Sequence, residues 1–238
     1  RFYQAHHSAF NSTRQFGWPG WQKVMKTIAT APLKVLDVGC GNGRFARFLD
    51  GVNNPIEAPA SYLGLDPNAS LLGYASESSL SFATQWLEWT WGNNPAKHRL
   101  LDVQAQFDLV VSFGVLHHIY GRQRRADFIR WCAQHVAPGG HLVISAWDFG
   151  RHAQFLNKVV DENIVLQETG LHLTELEPHD HFLGFGANPL PLRYCHWVDD
   201  QEARELMEMV RDDIRPQTIL HRLEEPSDLN RYWIWNHR

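Results

Sequence analysis

Residues 33–43 read Leu-Lys-Val-Leu-Asp-Val-Gly-Cys-Gly-Asn-Gly. The first six are a short apolar run with β-branched residues, and glycines follow at once, which predicts a strand over 33–38 that ends in a tight turn. Asp37 stands two residues ahead of Gly39, and Gly41 and Gly43 follow at alternate positions. Glycine lets the main chain bend sharply and approach a ligand closely, because no Cβ intervenes. Arg44–Asp50 reads as a helix, so the loop lies between a strand end and a helix N-terminus, where N–H groups lack intrahelical partners. A dinucleotide fingerprint needs its third glycine at position 44, which is Arg44, so the spacing here is GxGxG.

The same alternation runs outward from the loop. Residues 61–66 (SYLGLD) read as a second buried strand, ending at Asp66, 29 residues after Asp37, about one strand–helix–strand step. A carboxylate at that strand end is placed to accept hydrogen bonds from two ribose hydroxyls, or to cap the helix predicted at Asn68–Ser78. Residues 80–91 (LSFATQWLEWTW) read as a strand, and its Trp86, Trp89 and Trp91 as packing rather than as a stacking platform. Residues 107–112 are a clearer strand, Arg122–Val136 a helix that Pro138-Gly139-Gly140 stops, and 141–147 another strand. Upstream, 21–31 reads as an amphipathic helix stopped by Pro32. Short apolar strands alternating with helices imply a mostly parallel sheet. The pattern changes past Gly150. A polar stretch leads to a loop at Gly184–Pro189 and a helix at Asp200–Asp213. Two strands, about 214–223 and 230–236, then flank Glu225-Pro226-Ser227-Asp228 as an antiparallel hairpin.

Composition narrows the classes. Of 238 residues, 44% are hydrophobic and 20% charged, which excludes a disordered or collagen-like chain. No run approaches the ~18 apolar residues of a membrane span. Arg1–Phe10 carries no apolar signal core, so a cytoplasmic protein without a membrane partner is expected. Cys40, Cys132 and Cys195 lack metal-binding spacing, and no metal site is expected. The net charge of −4 leaves any nucleic acid to a local basic patch. Arg122, Arg124, Arg125 and Arg130 are the candidates; the alternative is a solvated helix face laced with ion pairs.

The loop with its preceding acid resembles motif I of class I S-adenosylmethionine-dependent methyltransferases. That resemblance implies an α/β, Rossmann-like fold: a mostly parallel seven-stranded sheet with a C-terminal antiparallel hairpin. One domain over 1–238 is expected, with an N-terminal helical segment (1–31), a cofactor-binding core (32–150), a substrate-side insertion (151–200) and a closing helix and hairpin (201–238). The implied cofactor is S-adenosyl-L-methionine, held by Asp37, Gly39, Cys40, Gly41, Asn42, Gly43, Asp66, Pro67, Phe113 and Gly114. At the end of the third strand the family often places an Asp. This chain reads Trp89-Thr90-Trp91-Gly92-Asn93-Asn94 there, with Asp102 farther on, which leaves the adenine contact open.

The run from Phe107-Asp108-Leu109-Val110 through His117-His118, Arg124-Arg125 and Ala137-Pro138-Gly139-Gly140 to Trp147 is similar to one branch. These are the tRNA methyltransferases that esterify 5-carboxymethyluridine at the wobble position. Phe10–Pro19 resembles the branch's N-terminal "STR…WP" segment. Arg193-Tyr194-Cys195-His196-Trp197 resembles its "RYYH" signature, with Cys195 in place of a Tyr, and Asp228–Trp233 its closing "DN-x-W" strand. The resemblance implies a tRNA partner and a small zinc-binding activator protein.

The chemistry is consistent with those residue types. A carboxylate is ionised at neutral pH, so methylating it needs no general base. It needs an oxygen placed in line with the donor methyl and shielded from water. Arg14, His118, Arg193, Tyr194 and His196 are the expected holders of that carboxylate, and His117 reads as packed. Two other readings stand: a small-molecule methyltransferase, of carboxylic acids among others, and a non-catalytic scaffold. Intact Asp37, Gly39, Gly41, Gly43 and Asp66 argue against the scaffold.

Overall fold

The computed structural model describes residues 7–13, 15–28, 31–92, 106–185, 188–211, 218–224 and 228–237; Arg14 and Asp102 lie outside the described residues. Helix α1 (His7–Ser12) leads to α2 (Pro19–Ile28). Trp21, Val24, Met25 and Ile28 of α2 recur with helical period and are all buried. Strand β1 (Lys34–Val38), α3 (Arg44–Leu49), β2 (Ser61–Asp66), α4 (Ala69–Ser76) and β3 (Ala83–Glu88) follow. Then come β4 (Phe107–Phe113), α5 (Arg122–Ala133) and β5 (Val136–Trp147). The second half holds α6 (Ala153–Leu156), α7 (Glu162–Thr169), β6 (Asp180–Phe185), β7 (Asn188–His196), α8 (Asp200–Val210), β8 (Thr218–Glu224) and β9 (Asn230–Asn236).

The main sheet has seven strands in the order β3-β2-β1-β4-β5-β9-β8. Pairing is parallel from β3 to β5, and β9 runs antiparallel to both β5 and β8. Because β1 is central, the chain winds to one side through β2 and β3 and then to the other through β4 and β5. The crevice beyond the carboxyl ends of β1 and β4 is therefore the switch point where such sheets bind ligands. Side chains alternate between two packed layers. Leu36, Val38, Leu142, Ile144, Trp233 and Trp235 join Phe128, Ile129 and Leu206 on one face. Val35, Val143, Tyr232 and Ile234 join Trp21, Met25, Phe45 and Phe48 on the other. Period-two alternation on both faces is what a sheet between two helical layers requires.

Three expectations change. Pro138-Gly139-Gly140 is not a helix stop but part of β5, in which Gly139 N–H donates to the His237 carbonyl at 2.5 Å and His237 N–H to the Gly140 carbonyl at 2.8 Å. The register against β4 slips between Phe107 and Leu109, a bulge that side-chain-free residues accommodate. Helix α5 accordingly ends at Ala133, not Val136, since Val136 pairs with Phe107. Residues 184–189 are not one loop: Gly184 and Phe185 end β6 and Asn188 and Pro189 open β7, and these two strands form a separate antiparallel sheet. No helix among the described residues is long and apolar enough to cross a membrane.

Candidate active site

The loop after β1 is held against the end of β2. Gly39 N–H and Cys40 N–H both donate to the Leu65 carbonyl, at 2.7 and 3.0 Å. Gly41 N–H donates to Asp66 Oδ2 at 2.9 Å, and Asn68 N–H to Asp66 Oδ1 at 2.9 Å. Gly39, Gly41 and Gly43 have φ of 84°, 56° and 73°, a region that favours glycine. At Gly39 a Cβ would also lie 2.1 Å from Val115 Cγ2, so position 39 tolerates no side chain. The cap of α4 is Asn68, whose Oδ1 accepts from Ser70 and Leu71 N–H, and not Asp66, which is left to shape the loop.

Asp37 is almost fully buried beneath the loop, with the Tyr62 hydroxyl donating to its Oδ2. Burial, with the nearby Asp66 charge, pushes its carboxyl up to about 7. Burial likewise raises Asp66 to about 6, main-chain N–H donors offsetting part of the effect. Asp37 Oδ1 is buried and has no hydrogen-bond partner among the described residues. A buried carboxylate oxygen left in that condition favours a cationic or hydrogen-bond-donating ligand.

Two cavities meet at Gly39. The larger, about 510 Å³, lies over the loop and is lined by Asp37, Gly41, Asn42 and Phe113 on one side and by Trp147, Phe155, Leu183 and Gly184 on the other. Among the described residues its charged lining is three cations, Arg44, Lys158 and Arg193, against one carboxylate, Asp37. Arg44 stacks on Trp18 and Trp21, with its guanidinium 4.9 and 5.3 Å from the ring centroids. The smaller cavity, about 320 Å³, is aromatic and apolar, lined by Leu65, Pro67, Trp89, Trp91, Val115 and Phe128 among others. Trp89 stacks on Trp131 with centroids 4.6 Å apart, and the Arg124 guanidinium lies 5.8 Å from the Trp91 centroid.

S-adenosylmethionine combines a zwitterionic amino-acid end and a cationic sulfonium with a flat adenine, and the residues present fit the two ends. The orphaned Asp37 oxygen and Arg44 match the ammonium and carboxylate of the amino-acid end. The cavity walled by Trp89 and Trp91 matches the aromatic base. Cys40, Asn42, Phe113 and Gly114 line the larger cavity and Pro67 the smaller. Trp89 and Trp91 pack against the core, as read from the sequence, and also line this cavity.

The five expected carboxylate holders separate. Arg193 lines the larger cavity, and Arg14 lies outside the described residues. Tyr194 and His196 turn away from that cavity into a buried ionic network. His196 Nδ1 lies 2.6 Å from Asp180 Oδ1, its Nε2 pairs with Glu202, and the Tyr194 hydroxyl donates to Asp180 Oδ1 at 2.6 Å. Arg125 closes the network on Glu202 and Glu177, at 2.6 and 2.7 Å. His118 borders the smaller cavity, and its Nδ1 lies 2.8 Å from the Tyr194 carbonyl. A carbonyl only accepts, so Nδ1 carries the proton. Burial lowers His118 to about 4, so the neutral ring keeps Nε2 as an acceptor, ill suited to a carboxylate. His117 does the reverse. Its Nδ1 accepts from Trp147 N–H at 3.3 Å, its ring lines the larger cavity, and burial keeps it neutral with the proton on Nε2. The two rings thus carry their protons on different nitrogens, a distinction invisible in a His-His pair.

Of the four arginines expected to form a patch, one turns inward and two are paired with acids. Arg125 is 1% exposed, Arg122 pairs with Glu205 at 2.6 Å, and Arg130 pairs with Asp127 at 2.8 Å and donates to the Met209 carbonyl. Only Arg124 of the four reaches a cavity.

Residues 36–142 match a family described as a methyltransferase domain. The tRNA (carboxymethyluridine(34)-5-O)-methyltransferase of Saccharomyces cerevisiae is 28% identical over 145 residues, which cover 58% of this chain and 43% of that protein. The chain therefore spans less than half the length of that relative. The ubiquinone biosynthesis O-methyltransferase of Proteus mirabilis is 27% identical over 199 residues, 83% of this chain and 71% of that protein. An S-adenosylmethionine-dependent methyltransferase from Clostridium acetobutylicum has a TM-score of 0.59 at 10% identity, covering 99% of this chain and 97% of that one, which shows a shared fold. On its sheet, its loop and this match, residues 36–142 are similar to a methyltransferase domain, the fold is shared with class I, S-adenosylmethionine-dependent methyltransferases, and the core resembles that of the tRNA carboxymethyluridine methyltransferases.

Proposed function

We propose that this chain transfers a methyl group from S-adenosylmethionine to a carboxylate, and that the carboxylate is the carboxymethyl group of a modified wobble uridine in tRNA. The observation that carries the reading is the larger cavity, in which three cations and a neutral histidine donor surround the space above the glycine loop. When bound, the cofactor supplies a methyl group on a positively charged sulfur. Asp37, Asp66 and the loop seat the donor, and Trp89 and Trp91 flank its base. His117 Nε2, Lys158 and Arg193 orient an acceptor that is already ionised. No proton has to move, so the buried histidines need not titrate. Trp18, Trp21, Phe113 and Trp147 exclude water, which leaves the charges less screened. The name of the yeast relative, and the Phe10–Pro19 and Arg193–Trp197 segments, support tRNA as the acceptor. A small zinc-binding activator belongs to the same reading.

One observation favours a second acceptor class. Arg122, Arg125 and Arg130 are already paired with acids, and the relative matched over the larger share of both chains acts in ubiquinone biosynthesis. A small-molecule methyltransferase is the alternative. Methyl transfer to bulk tRNA, followed by nucleoside mass spectrometry, separates the two. A new methyl ester on a wobble uridine is expected. Transfer only to small acids or phenols would replace the tRNA reading.

A further inference from the structure

The segment after β5 brings two cations to the wall of the larger cavity that faces the glycine loop. Arg193, in β7, places its guanidinium 4.9 Å from the centroid of Trp147. Lys158, just past α6, places its ammonium 5.6 Å from the centroid of Phe155. Those two rings meet edge to face with centroids 4.7 Å apart, so the cations ride on one continuous aromatic platform. All four side chains line the cavity.

The backbone sets this arrangement. Leu183 pairs with Arg193 across β6 and β7 and bridges to Val159 on its other side. Gly184 N–H donates to the Lys158 carbonyl at 3.2 Å, and Val160 N–H to the Phe182 carbonyl at 2.8 Å. Lys158 and Arg193 thus flank the same short strand. Arg44, the third cation, belongs to the opposite wall, where its charge acts on Asp37. The amino-acid end of the donor has its counter-charges there, which leaves the platform side to the acceptor. Aromatic faces attract cations, so the platform holds both charges at the cavity wall. A guanidinium fork beside an ammonium suits a planar carboxylate.

We propose that Lys158 and Arg193, carried on Trp147 and Phe155, are the pair that selects acceptors by an anionic carboxylate. The identity of the acceptor rests on the reading given above; the selection of a carboxylate does not. The test measures affinity of the full chain, saturated with S-adenosylhomocysteine, for two matched pairs of probes. One pair is an anticodon stem-loop RNA carrying 5-carboxymethyluridine and the same RNA with plain uridine. The other is benzoate and benzamide.

The wild type should prefer the carboxylate member of at least one pair. Lys158→Ala and Arg193→Ala should each cut that preference about tenfold or more. Lys158→Arg and Arg193→Lys should restore most of it, and S-adenosylhomocysteine affinity should stay within about twofold throughout. Lys158 is exposed, so its variant reports even if Arg193→Ala fails to fold. Preference unchanged in Lys158→Ala, or a wild type with no preference in either pair, overturns the assignment. Preference for benzoate alone keeps the cation pair and sinks the tRNA reading. Ester formation on tRNA with preference intact in both alanine variants sinks the pair and keeps the reading.

Discussion

Two pairs of acids, Asp37 with Asp66 and Asp180 with Glu202, are all less than a tenth exposed, yet their environments act on them in opposite directions. Burial raises Asp37 and Asp66, to about 7 and about 6, because the hydrogen bonds from Tyr62, Gly41 and Asn68 and the Arg44 charge offset only part of it. Burial also pushes Asp180 and Glu202 up, but hydrogen bonds from His196, with Tyr194 on one and Arg125 on the other, overcome it and leave both below the usual carboxylate range. The second pair has its cations within the chain: His196 is raised by those same acids, and Arg125 is nearly inaccessible. The first pair is compensated only in part, by Tyr62 and the Arg44 charge at Asp37 and by main-chain N–H groups at Asp66, and it sits under a glycine loop at the switch point of the sheet. Where the fold supplies the counter-charge, buried acids build structure. Where it withholds it, they shape a site for a cation from outside.

The largest expected effect breaks the completed network. Arg125→Ala leaves Glu202 and Glu177 without their guanidinium and should cost about 3–5 kcal/mol, read from urea midpoints. A loss below about 1 kcal/mol would mean that the network is incidental and the contrast empty. Asp37→Asn should do the opposite: little loss of stability, but donor affinity at least about tenfold weaker by calorimetry.

The pH profile sharpens that contrast. The folded-state value of Asp37 is raised from 3.8 to about 7, so between those limits the folded chain holds a proton that the unfolded chain has lost. Stability from this group therefore falls as pH rises through that window, and Asp37→Asn should flatten the slope. Donor affinity should climb over the same range, since a cation binds the ionised form, with proton release seen as buffer-dependent heat. A flat affinity profile between pH 5 and 8 would remove Asp37 from the donor's partners.

A smaller effect belongs to the aromatic cavity. Trp91→Ala should weaken S-adenosylhomocysteine by about 1 kcal/mol, near fivefold, with stability changed less. Smallest of all, Arg122→Ala removes an exposed pair with Glu205 and should shift stability by less than about 1 kcal/mol. It should also leave the salt dependence of any RNA binding unchanged, as an arginine already occupied by an acid contributes little to gripping phosphate.

Much of the architecture was legible in residues 33–43 and the alternation around them, because strand and helix periods and glycine turns are local properties. The central β1, the loop after it, Asp66 at the next strand end and the closing antiparallel strands all follow from such signals. Pro138-Gly139-Gly140 misled for the same reason: as local punctuation it reads as a stop, while pairing of the flanking Val136 and His141 with β4, and hydrogen bonds with His237, draw it into a bulged strand.

What tertiary structure alone decided is the partner of each polar side chain. Nothing in His117-His118 says that one ring accepts from Trp147 N–H while the other donates to the Tyr194 carbonyl, 76 residues away. Nothing in the spacing of Arg122, Arg124, Arg125 and Arg130 says that Arg125 meets Glu202, 77 residues on. Nor does it say that Lys158 and Arg193 flank one strand. A side chain's charge is written in its type. Whether that charge is spent within the fold or offered to a ligand depends on contacts between distant segments, and those form only when the sheet and its covering hairpin assemble.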